Sequence, residues 1–97
     1  MPTEMFNPSH PGEILQEWLE GLHMSVTEFA KHIHVSRGTL SKVLNHRAGI
    51  SPDMSRRLAA ALGTNPGFWF DMQCKYDFVQ AGRKKLPKIA RVSKAAA

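Results

Sequence analysis

At 97 residues the chain has room for one domain, and its 42% apolar content is that of an ordinary globular protein. Its single cysteine, Cys74, cannot form an internal disulfide, and no apolar run reads as a secretion signal or spans a bilayer, so a cytoplasmic location is expected. The formal net charge of +5 overstates the domain: Arg83, Lys84, Lys85, Lys88, Arg91 and Lys94 stand in a terminal stretch without an acid, and removing them leaves −1 for residues 1–82.

The informative asymmetry lies inside that part. Glu4, Glu13, Glu17 and Glu20 make the N-terminal quarter acidic, whereas Lys31, Arg37, Lys42, Arg47, Arg56 and Arg57 face only Asp53 between positions 31 and 57. One side of a small domain is then expected to be positive, the footprint a phosphate backbone requires.

Residues 1–9 are polar, contain proline and lack periodicity; they read as an arm. A first helix is expected from Pro11, whose missing N–H is harmless in a first turn, with Ile14, Leu15, Trp18, Leu19 and Leu22 inward. Ser25-Val26-Thr27-Glu28 has the spacing of a capping box and opens a second helix with Phe29, Ala30 and Ile33 on its inner face. After a break at His34 and Val35, Ser36 is a good N-cap for a third helix buried through Leu40, Val43 and Leu44. Ser51-Pro52 opens a fourth, packed through Met54, Leu58, Ala61 and Leu62 and stopped by Gly63. Asn65-Pro66 opens a fifth, running to about Gly82. Residues 10–82 are thus read as an all-α, five-helix domain, and residues 83–97 as a basic tail too poor in apolar residues to fold alone.

Two short helices joined by a three-to-four-residue turn are the sequence image of a helix-turn-helix. Ala30 falls where the two helices would cross most closely, and a larger side chain there would push them apart. With Phe29, Ile33, Val35, Leu40 and Val43 inward, Arg37, Gly38, Ser41, Lys42 and Asn45 are left outward on the third helix, and Arg37, Gly38, Thr39, Ser41 and Lys42 are read as facing base edges or nearby phosphates. Thr27, Ser36, Arg47, Arg56 and Arg57 are placed to hold the nucleic-acid backbone together with Asn45.

The stretch from Val26 to Arg47 resembles the helix-turn-helix of the phage-repressor and Cro-like family, which implies a lambda-repressor-like fold. The wider pattern is more specific. His10-Pro11-Gly12-Glu13-Ile14-Leu15, Ile50-Ser51, Arg57-Leu58-Ala59 and the run from Leu62 through Asn65-Pro66-Gly67-Phe68-Trp69 to Gln73 resemble the HigA-type antitoxins of bacterial addiction modules, over roughly residues 8–80. The resemblance implies a homodimer that represses its own operon by binding a double-stranded DNA operator and that neutralises a RelE-like, HigB-type toxin which cleaves mRNA. Relatives without a toxin partner act as stand-alone regulators, and a partner-binding module with secondary DNA contact is a third reading. The departure is His34, at a turn position often held by glycine because the backbone there tends to a left-handed conformation.

On the fifth helix Trp69, Met72, Tyr76 and Val79 form one apolar stripe and Phe70, Cys74 and Phe78 a second, about 100° away. One stripe covers the core, so Phe70, Cys74 and Phe78 are available as a dimer interface; Asp71, Gln73, Lys75 and Gln80 read as the polar side. The default for Cys74 by itself is a buried, inert thiol. Other chemistry is not supported. His10, His23, His32, His34 and His46 lack metal-ligand spacing, no cofactor site is recognisable, and nothing resembles a nucleophile elbow, a phosphate-cradling loop or a paired-carboxylate site, so the chain is not read as an enzyme.

Overall fold

The computed structural model describes residues 8–93, so the expected arm up to position 7 and tail residues 94–97 lie outside the described residues. Five helices follow in order: α1 (Pro11–Leu22), α2 (Val26–His32), α3 (Arg37–Leu44), α4 (Pro52–Leu62) and α5 (Phe68–Gly82). The fold is all-α, and among the described residues no helix is long and apolar enough to cross a membrane. Residues 85–93 follow α5 without helix or strand and are exposed.

The helix starts are set locally. Ser25, Ser36 and Ser51 accept from the N–H groups of Glu28, Thr39 and Met54 at 3.0, 3.0 and 3.1 Å, and Glu28 returns the bond to the Ser25 N–H at 2.8 Å. Donation from the Ser25 N–H, and to a lesser extent from its hydroxyl, holds the Glu28 carboxyl below its usual range. At α1 the cap is His10, whose Nδ1 accepts from Gly12 N at 2.9 Å. The start of α5 differs from expectation by two residues: Asn65 Oδ1 accepts the Gly67 N–H at 2.9 Å and folds Pro66 into a turn, so the helix opens at Phe68. Gly67 offers no cap. Ser55 of α4 supplies one instead, accepting from Phe70 N at 3.1 Å and donating to Pro66 O at 2.6 Å.

The helix ends share a device. Met24, Val35 and Arg47 each donate their N–H five residues back, to Leu19, Ala30 and Lys42, while the histidine preceding each donates three residues back. Those are Schellman closures, with His23, His34 and His46 at φ +56°, +62° and +61° where glycine is usual. Gly63 closes α4 at φ +75°.

The core is Leu15, Leu19, Phe29, Ala30, Ile33, Leu40, Val43, Ile50, Met54, Leu58 and Trp69. Trp69 is fully enclosed, and its indole N–H donates to Thr64 Oγ1 at 3.1 Å. Two residues expected in it are exposed instead. Trp18 is 36% exposed and Leu22 47%, because Trp18 sits about 60° round α1 from Leu15 and Leu22 lies at the end of the helix, in its last turn. Ile14, Val35, Leu44, Ala61 and Leu62, also expected inward, are half-buried and pack against the core. Cys74 is exposed rather than buried. Gln73, read as part of the polar side of α5, is buried: its Oε1 accepts from Ile50 N and its Nε2 donates to Asp77, each at 2.9 Å. Gly12 lets α1 meet α3 backbone to backbone, since a Cβ there would overlap the Val43 carbonyl.

Candidate nucleic-acid interface

The turn from Ile33 to Ser36 joins α2 to α3 as the sequence predicts, with Ala30 buried at the crossing and His34 in the left-handed region. Leu40 and Val43 anchor α3 to the core. Arg37, Gly38, Thr39, Lys42 and Asn45 are exposed, and Ser41 is half-buried. A Cβ built on Gly38 meets nothing within 4 Å, so the open space beside the first turn is available for close approach of another molecule. Arg47 and Arg56 are exposed, one just past the end of α3 and the other on α4.

Several of the expected site residues are tied to one another. Arg37 Nε donates to Thr27 Oγ1 at 3.0 Å, which links the first turns of α2 and α3 and leaves both terminal nitrogens of the guanidinium for other acceptors. Ser36 and Thr39 share a hydroxyl–hydroxyl bond of 2.7 Å beside the N-cap. Asn45 Nδ2 donates to the carbonyl and the hydroxyl of Ser41 at 2.9 and 3.1 Å, closing the far end of α3. Arg57 is turned toward the α2–α3 turn: its Nη1 donates to Ile33 O at 2.8 Å and His34 O at 3.2 Å, and its Nε to Asp53 at 2.7 Å.

A helix-turn-helix with its inner side in the core and a polar, exposed α3 recurs in known proteins. The helix-turn-helix family model HTH_3 matches residues 15–69. Virulence-associated protein A' of Dichelobacter nodosus is 39% identical over 89 residues, covering 91% of this chain and 77% of that protein. The Pseudomonas aeruginosa antitoxin HigA, solved with the higBA promoter, superposes with a TM-score of 0.76 at 35% identity, covering 78% of this chain and 84% of that one. The chain belongs to the helix-turn-helix family of the HigA-type antitoxins. An addiction-module antidote protein of the HigA family from Coxiella burnetii matches at a TM-score of 0.72 and 34% identity, over 84% of this chain and 99% of that one.

Sequence reasoning missed three residues that fix the elements around α3. His10, buried, stacks on His46 with ring centroids 4.5 Å apart and meets the edge of Tyr76 at 4.9 Å, joining the starts of α1 and of the α3–α4 loop. Gln73 pins the same loop from α5, and Ser55 fixes α5 to α4. The signal for His10 was present, since it precedes a proline at the helix start. Nothing local marks Gln73 or Ser55, whose partners are 23 and 15 residues away.

Proposed function

We propose that the protein is a sequence-specific, double-stranded DNA-binding repressor in which α3 enters the major groove. The observation that carries this reading is the outward row Arg37, Gly38 and Lys42 on a helix whose opposite side is locked into the core, with Arg47 and Arg56 exposed beyond it. Arg37, Gly38, Thr39, Ser41 and Lys42 lie against base edges or adjacent phosphates, and Thr27, Ser36, Asn45, Arg47 and Arg56 hold the backbone. The Pseudomonas relative's structure with promoter DNA supports the same use of this fold. In this reading the chain acts in the cytoplasm as the antitoxin of an addiction module, pairs through Phe70, Cys74 and Phe78, represses its own operon and neutralises a RelE-like toxin.

The test is a duplex selected from a randomised pool by the unmodified protein. Arg37→Ala should lose about 5- to 150-fold in affinity for that duplex and far less for a scrambled one. Equal losses on both would reduce Arg37 to a phosphate contact. The antitoxin role is tested separately, by whether the protein relieves growth arrest by a RelE-like reading frame encoded beside it.

A further inference from the structure

We propose that Arg57 is a positioning residue for DNA recognition, a clamp from α4 that fixes the pose of α3, with Asp53 as the residue that aims it. Ile33 is the C-cap of α2 and the strained His34 follows it, so the carbonyls of these two residues have no helical partner further along the chain. Arg57 Nη1 satisfies both, at 2.8 and 3.2 Å, and brings a positive charge to the negative end of α2. Its Nε is held at 2.7 Å by Asp53, one turn earlier on α4. The guanidinium fork therefore spans two elements, and α4 in turn packs on α5.

The leverage comes from distance along the chain. Ser36, the cap of α3, is two residues from His34, and Arg37 and Gly38 follow at once. A turn that shifts carries those residues with it. Arg57 has a cation's charge, and on composition alone it reads as a phosphate ligand; two of its three bonds go instead to the protein's own turn and the third to Asp53 on its own helix.

The proposal rests on the operator-binding reading above, and the two fail differently. Affinity is measured for the selected and a scrambled duplex across a salt series, with thermal unfolding of each variant alongside. For a clamp, Arg57→Lys keeps the charge but loses the fork, so the selected duplex should be bound about tenfold or more weakly while the scrambled duplex and the salt slope hardly change. Asp53→Ala, at an exposed position, should weaken selected-duplex binding in the same direction although it makes the domain more positive. A phosphate ligand behaves oppositely: Arg57→Lys is tolerated, Arg57→Gln flattens the log–log salt slope by about one unit, and Asp53→Ala tightens binding. That outcome overturns the clamp and leaves operator binding intact. So does a fall in melting temperature with unchanged preference for the selected duplex. Failure of the pool to yield an enriched sequence removes the operator reading, and the clamp's role with it.

Discussion

His34 stands at φ +62° in the turn that presents α3, where a side chain with a Cβ is strained by about 1–2 kcal/mol. Glycine adopts that geometry freely but loses more entropy on folding, so His34→Gly should stabilise the protein by a net of about 0.5–1 kcal/mol in urea unfolding. A loss of stability would mean that the imidazole makes contacts worth more than the strain. His10 poses a different question at the same scale. Burial and the neighbouring His46 push its imidazole below the ordinary histidine range, against a smaller upward pull from Asp77 and Glu13. Its Nδ1 must also stay unprotonated to accept from Gly12. The neutral form is the folded one, so this contribution to stability is complete above about pH 6.5 and is lost as pH falls from there through the folded-state value. The melting temperature should therefore drop between pH 7 and pH 5. His10→Asn, which keeps an N-cap acceptor without titrating in that range, should have a shallower profile; an equal drop would assign the effect to another group.

At the scale of elements, the contact of α1 with α3 depends on a missing side chain. A Cβ on Gly12 would overlap the Val43 carbonyl, which belongs to backbone and cannot turn away. Gly12→Ala should gain up to about 1 kcal/mol of helix propensity but lose more to forced separation of the helices, for a net destabilisation of about 1–3 kcal/mol by thermal unfolding. An unchanged melting temperature would show that α1 can slide along α3 without loss. The same contact explains what the sequence could and could not convey. The starts of α2, α3 and α4 were readable because a serine and an N–H three residues on are neighbours in any chain that begins a helix there. Ser55, Gln73 and Gly12 act on partners brought near only by folding, and their types and positions resemble ordinary surface or helix residues. Trp18 fits a helical period but sits on the flank of the buried arc, which period alone does not bound. The polar row on α3 was legible for the converse reason, since an outward face is defined by what cannot be buried. Arg57 was not, because composition counts its charge and only the fold shows where the guanidinium points.

For the whole molecule, the open question is what covers the second stripe of α5. Phe78 is 81% exposed, Cys74 is exposed and Phe70 is half-buried, while Trp69 lies in the chain's own core, Met72 packs against it and Tyr76 meets His10. An aromatic that far out of the fold on a regular helix is costly to leave in water and contributes nothing to the monomer, whereas a second copy's α5 could bury it. One recognition helix reads only a few base pairs, and pairing two through α5 would set them about 34–36 Å apart, on successive major grooves of one face of the duplex. Phe78→Glu should therefore convert a dimer to a monomer in sedimentation at micromolar concentration without changing the circular dichroism, because the side chain leaves no hole in the core. Binding to a full two-half-site duplex should fall far more than binding to one half-site, since the second contact is no longer intramolecular. If the unmodified protein sediments as a monomer and binds the full site one chain at a time, the exposed stripe has some other use.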